Sequence, residues 1–231
     1  MSYLWQEFNI KTFISETLVF QNGVFREELS EYKSAKFDSD KNLISVDKTS
    51  KLPIHIIYIG EIAGNIDLNI NINAPNNKII MTFKTICKKP AFLNIFIKNT
   101  GKKSVFDGKV IIKNENNLNL NITGQHLCEN TGIFVKTRVV AYKNSNTELK
   151  GIAKIEKNIP DCDSDISFSV IADEDSHIVL SPTQYIQSVP KNASHSASLY
   201  KPNYNQIYYL RTSGLSKSEI DNLLKEAFLE E

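Results

Sequence analysis

A single histidine stands among small polar residues in Asn192-Ala193-Ser194-His195-Ser196-Ala197-Ser198. A neutral imidazole nitrogen is a good metal ligand. One histidine cannot hold a metal centre or cluster alone, so that chemistry requires ligands from a second chain. The competing reading of His195 is a hydrogen-bonded surface residue. Cys87, Cys128 and Cys162 are odd in number, widely spaced and form no C-x-x-C pair, which argues against a disulfide framework and against a self-contained zinc or cluster site. Cys162 lies between Asp161 and Asp163, with Asp165 nearby, and like charges oppose thiolate formation, so it reads as inert. Cys87 and Cys128 read as core or strand-end residues. The acidic run Asp173-Glu174-Asp175-Ser176-His177 has neither the glycine nor the ligand spacing of a calcium loop and reads as a solvated turn. There is no G-x-S-x-G, no phosphate loop, no H-E-x-x-H and no paired carboxylates with a placeable base. Nothing argues for an enzyme in its own right.

The chain that must position these residues has 231 residues, a hydrophobic fraction of 41% and a formal charge of +1. That length suits one large domain or a domain with an appendage. A balanced charge gives no reason to expect nucleic acid as a partner. The N-terminus lacks the basic start and apolar core of a signal peptide, and no apolar run approaches the ~20 residues of a membrane span. With the unpaired cysteines, this points to a cytoplasmic, reducing setting.

Leu4, Trp5, Phe8, Ile10 and Phe13 predict one short helix. Asn22-Gly23 between apolar residues predicts a hairpin with a type I′ turn. From Leu52 the pattern is β for more than a hundred residues. In the stretch from Asn65 to Ala74, Ile66, Leu68, Ile70 and Ile72 alternate with Asp67, Asn69 and Asn71. Further runs are separated by Pro75-Asn76-Asn77, Lys88-Lys89-Pro90, Asn99-Thr100-Gly101 and Glu129-Asn130-Thr131-Gly132. Short strands without intervening helices allow a sandwich, a barrel or a β-solenoid, and no clean repeat chooses among them. One-sided strands with asparagine crowded at their ends lean toward a solenoid, in which stacked amides ladder at the turns. A helical period takes over after Pro202. Ile207 and Leu210 precede Gly214 as a helix end. Ser216-Lys217-Ser218-Glu219 is a capping box opening a second helix, with Ile220, Leu223, Leu224, Ala227 and Phe228 on one stripe. By default that stripe caps a solenoid end.

The C-terminal stretch resembles the end of the SufB/SufD family of iron–sulfur cluster assembly proteins. Tyr208-Tyr209-Leu210-Arg211-Thr212-Ser213-Gly214-Leu215-Ser216 follows the family's Phe-Tyr-Leu-x-Ser-Arg-Gly-Leu-Ser turn, and Ala227-Phe228 stands at its closing pair. Ser194-His195 matches the first two residues of its Ser-His-Gly-Ala-Thr segment, in which Ser196 and Ser198 replace the glycine and threonine. Weaker echoes lie in Leu18–Ser30, in Asn144–Ile155 and in Ser181–Ile186. The cysteine of SufB-type members falls on Ile166–Ala172, which contains none, so the resemblance is to the SufD-like branch.

The resemblance implies a mainly β fold, a right-handed parallel β-helix with a short C-terminal helical segment. On that basis, residues 1–50 form an N-terminal segment and hairpin, 51–200 the β-helix core and 201–231 the helical segment. It implies a non-catalytic SufD-like subunit of the assembly scaffold, acting with a SufB-like scaffold and a SufC-like ATPase. His195 is its metal- and cofactor-binding residue, Leu210, Ile220, Leu223, Leu224 and Phe228 meet a partner, and an iron–sulfur cluster is shared transiently rather than held tightly by this chain. No nucleic acid and no membrane are expected. The rival readings are a stand-alone β-solenoid binding module, with a homodimer as one form of it, and a β-helix enzyme acting on polysaccharide. The last is disfavoured because acids and exposed aromatics do not recur along the strands.

Overall fold

The computed structural model describes residues 16–230; the short helix expected around Leu4 to Phe13 lies outside the described residues. The chain opens with β1 (Glu16–Gln21) and β2 (Val24–Phe25). They pair antiparallel across Asn22 and Gly23, which both take positive φ (51° and 81°) as the tight hairpin turn requires. A single 3₁₀ turn at Glu27–Leu29 leads to β3 (Ala35–Asp38) and β4 (Leu43–Val46). The long strands β5 (Ile54–Ile72) and β6 (Lys78–Asn99) follow, then β7 (Val105–Asn114), β8 (Asn117–His126), β9 (Gly132–Ala141), β10 (Asn146–Ile155), β11 (Asp163–Ala172), β12 (His177–Ile186) and β13 (Asn192–Leu199). Helices α1 (Tyr204–Thr212) and α2 (Lys217–Glu230) close the chain.

The strands wind into a parallel β-solenoid of about six turns. One ladder stacks the first halves of β5 and β6 on β7, β9, β11 and β13; the other stacks their second halves on β8, β10 and β12. Alternation puts one face of each ladder inside. Ile56, Met81, Gly108, Val135 and Ile166 stand in one inner row, and Tyr58, Phe83, Val110, Thr137 and Phe168 in another. Apolar rows from the two ladders interdigitate as a single core.

The coil length explains why no repeat shows in the sequence. Register advances from Ile54 to Ile79, from Lys78 to Val105, from Val105 to Gly132, from Gly132 to Asp163 and from Asp163 to Asn192. The extra residues sit at corners, for instance Tyr142 to Ser145 where the previous coil has only Glu115 and Asn116. Two expected boundaries move. Lys88-Lys89-Pro90 is not a break between strands but an exposed bend within β6, carrying one continuous strand from ladder to ladder. The run from Lys109 to Gly124 is broken at Glu115-Asn116 into β7 and β8. Asparagine has two physical roles. Asn76, Asn130, Asn144 and Asn158 take the left-handed backbone at corners (φ 56–62°). On the outer face of the second ladder, Asn121 donates to Asn94 (2.8 Å) and Asn94 to Asp67 (2.7 Å), a side-chain ladder one coil per rung.

Candidate functional site

His195 lies on β13, directly in register with Ile166 of β11. Ile166 is 1% exposed and belongs to the core, so His195 continues an inner row. It is nonetheless exposed, because among the described residues no further coil stacks on β13. Its inner-row neighbours Ala193 and Ala197 replace Ser164 and Phe168 of the coil before, and such short side chains leave the imidazole uncovered. Ser194, on the outer face, donates to Oδ1 of Asp165 (3.0 Å).

This end of the solenoid is open. Among the described residues, strand β13 pairs only with β11 and β12 only with β10, so each leaves one row of backbone groups without a strand partner among them. In a parallel ladder alternate residues bond to alternate neighbours. Asn192 and Tyr200 direct their N–H groups to Cys162 and Val170 of the β11 side, which places those of Ala193, His195, Ala197 and Leu199 on the free edge. On β12, His177 and Gln187 bond back to Ser145 and Ile155, so Ile178, Leu180, Pro182, Gln184 and Ile186 face the free edge. Around it lie exposed apolar side chains: Tyr185, Ile186, Val189 and Leu199, with Val189 76% exposed. Exposed apolar side chains gathered beside a free strand edge form a candidate interaction surface.

The second exposed apolar surface is on the helices. Asn203 caps α1, its side chain accepting from the backbone of Asn205 (2.9 Å) while its own N–H meets Gln206 (3.1 Å). The expected box at α2 is present: the Glu219 N–H donates to Ser216 Oγ (3.3 Å) and the Ser216 N–H to the Glu219 carboxylate (2.8 Å). Helix α1 buries no residue and exposes Tyr204, Tyr208 and Tyr209.

Helix α2 is seated on the flank of the solenoid, a correction to the expected end cap. Phe228 and Leu229 pack with the outward-facing Ile111, Val140 and Ile171 of β7, β9 and β11. Arg138 donates to the Phe228 carbonyl (2.7 Å) and lies over its ring, which also stacks on Tyr200. Lys109 donates to the Glu230 carbonyl (3.1 Å); cations here satisfy the free carbonyls and the negative pole of the helix end. Lys113 pairs with Glu226. Of the five side chains expected to meet a partner, Ile220 and Phe228 are buried within this chain, Leu210 and Leu224 are half-buried and Leu223 is 47% exposed.

Cys128 and Cys162 lie in corners between strands, and Cys87 lies within β6 just before its bend. Cys162 is fully buried, its Sγ 3.4 Å from the Cys128 carbonyl and from Thr131 Oγ1. Burial, with the Glu115 charge added, pushes the Cys87 thiol up to about 11. Sequence reasoning passed over His126. It ends β8 on an inner row, 0% exposed, with Nδ1 2.8 Å from Thr131 Oγ1 and Nε2 without a partner among the described residues. Thr131 Oγ1 also lies 2.8 Å from the Cys128 carbonyl, to which it can donate; with its proton there, it accepts from His126 Nδ1–H. Burial pushes its pKa down to about 4. Its signal was the alternation Leu118, Leu120, Ile122, Gly124, His126. Among the described residues, no group of three or more His, Cys, Asp or Glu is placed to hold a metal ion, and no helix is long and apolar enough to cross a membrane.

None of the curated proteins matches the chain. A family model does: the SufBD core domain of SUF-system FeS cluster assembly covers residues 91–228, more than half of the chain, from the second half of β6 through α2. The later coils from the second half of β6 onward, the terminal histidine strand, α1 and all but the last two residues of α2 lie within the matched region, and the chain belongs to the SufBD core domain family of the SUF iron–sulfur cluster assembly system.

Proposed function

We propose that this chain is a SufD-like, non-catalytic subunit of a cytoplasmic Suf assembly scaffold that works with a SufB-like scaffold and a SufC-like ATPase. The observation that carries this reading is the place of His195: an imidazole on an inner row, uncovered, at an open solenoid end rimmed with apolar side chains. An iron–sulfur cluster needs several ligands, and one imidazole supplies one. A second solenoid meeting this end brings the remainder, thiolates among them, so that the nascent cluster is cargo held between two chains. The absence of a SufB-type cysteine from Ile166–Ala172 supports assigning the thiolate to the other chain.

The ATPase is assigned to the helices. Tyr204, Tyr208, Tyr209 and Leu223 form their exposed apolar surface, while Phe228, Leu229 and Lys225 hold α2 to the solenoid. Exposed aromatic side chains make effective anchors for a partner.

The test is reconstitution with a SufB-like scaffold and a SufC-like ATPase, measuring iron and sulfide after assembly. His195→Ala is expected to lower both while the three chains still co-purify. Unchanged iron and sulfide would overturn the ligand assignment.

A further inference from the structure

The outward face of the first ladder changes character along the solenoid. One outward row runs through Thr17, His55, Ile80, Asp107 and Phe134, and the next through Val19, Ile57, Thr82, Lys109 and Lys136. In the later coils these rows meet water, for Asp107 and Lys136 are exposed. In the first coils they do not: Thr17 is 5%, Val19 0% and Ile57 3% exposed. Val19 and Ile57 belong neither to the inner core nor to the seat of α2. The stretch from Arg26 to Glu31 does not account for their burial. It bonds to the edge of β1, with the Arg26 N–H donating to the Val19 carbonyl (2.8 Å) and the Glu31 N–H to the Thr17 carbonyl (2.8 Å), and so extends the sheet sideways. Apolar side chains on the outward face of a sheet are buried only beneath a second layer.

We propose that residues 1–15 supply that layer: the segment preceding β1 folds back over the outward face of β1 and β5 and seats Trp5 and its apolar neighbours on Val19 and Ile57. The reach is short. Val19 stands three residues along β1 from Glu16, about 10 Å, whereas fifteen residues span up to ~50 Å when extended. The composition fits an apolar floor. Leu4, Trp5, Phe8, Ile10 and Phe13 are apolar, and Glu7 and Lys11 are the only charged side chains before Glu16. The point of departure is fixed, because the Glu16 carboxylate accepts from the backbone N–H groups of Lys33 (2.7 Å) and Ser34 (2.5 Å) and from the Ser34 hydroxyl (2.6 Å). A segment tethered this close occupies the face at high effective concentration, ahead of any separate chain. It is to the first coils what α2 is to the later ones, a flank layer on the same ladder. The inference does not rest on the assignment to Suf assembly.

Trp5 is the only tryptophan of the chain, so the fluorescence of the full chain reads the seat directly. Wild type is expected to emit at shorter wavelength than N-acetyltryptophanamide and to resist acrylamide quenching several-fold, at every protein concentration. Ile57→Asp in the floor and Phe8→Asp in the segment are each expected to red-shift the emission and restore quenching. Phe8→Asp leaves the β-sheet circular dichroism unchanged, so the reading stands even where Ile57→Asp fails to fold. Val179→Asp, on the outward face of the second ladder where Val179 is 37% exposed, is expected to leave Trp5 as in wild type. A wild-type Trp5 quenched as freely as the reference, protection indifferent to Phe8→Asp, or an equal response to Val179→Asp would overturn the seat. Protection lost on dilution would overturn it in favour of the segment of a second copy.

Discussion

The ammonium of Lys225, on α2, lies 2.5 Å from Oδ1 of Asp173, in the corner between β11 and β12, and 2.6 Å from Asp221 one helical turn earlier. The lysine side chain is 5% exposed and its Nζ stands 5.0 Å from the ring centre of Tyr142. A cation this enclosed is tolerated because both carboxylates and the ring face answer it. This pair ties the helical arm to the last full coil.

Replacing Lys225 with Met should therefore loosen α2 rather than the solenoid. Asp173 is 24% exposed and Asp221 55%, so both carboxylates regain water and the loss is moderate, about 1–2 kcal/mol. Hydrogen exchange should quicken in residues 217–230 and stay unchanged in β9. Burial works against the charge on Lys225, but its bonds to Asp173 and Asp221 outweigh burial and raise its pKa above 10.5. A raised lysine pKa gives stability that is fully present below the unfolded value and lost as pH climbs through the folded one. The arm should hold at neutral pH and loosen only in strong alkali.

Phe228→Ala removes the ring between Arg138 and Tyr200 and empties the seat made by Ile111, Val140 and Ile171. A buried Phe→Ala change costs roughly 3–5 kcal/mol. Here much of that should appear as detachment of α2, visible as exchange and protease cleavage after residue 200 while β-sheet circular dichroism persists. Equal cleavage of wild type and variant would show that the helix is not anchored through this ring.

His126 should confer an acid sensitivity. Its folded pKa, about 4, lies below the ordinary 6.5 because burial disfavours the cation. Stability is then fully present above pH 6.5 and falls as pH drops toward 4, by on the order of 3 kcal/mol. Urea midpoints between those pH values should slope steeply for wild type and flatten in His126→Gln. A slope unaltered by the substitution would place the acid sensitivity elsewhere.

Gly151 is a packing position. A Cβ there would stand 2.8 Å from Ile166 Cγ2 and 2.9 Å from Phe168 Cζ. Gly151→Ala should cost about 1–3 kcal/mol by overpacking, as a lowered urea midpoint. Because Ile166 is the register neighbour of His195, the same variant should also disturb the terminal histidine strand, read in its NMR imidazole resonances.

Much of this protein is written in short-range pattern. The alternation of Ile66, Leu68, Ile70 and Ile72 sets a strand and its inner face, because period two is a property of the extended backbone itself. Asn22-Gly23 sets a turn by its tolerance of positive φ, and Ser216 with Glu219 sets a helix start through bonds three residues apart. The family resemblance at Tyr208–Ser216 was legible for the same reason, as a contiguous local motif. What tertiary structure decided depends on residues one coil apart. Corners of unequal length conceal the repeat, so the vertical rows that put His195 above Ile166, and His126 inside, have no constant spacing to detect. The flank seat of α2 joins Phe228 to Val140 and Ile111 across the whole C-terminal half. The outward row of β13 follows from which neighbour each backbone group has already bonded. Pairing across coils, not any local preference, makes His195 an exposed side chain on an interior row.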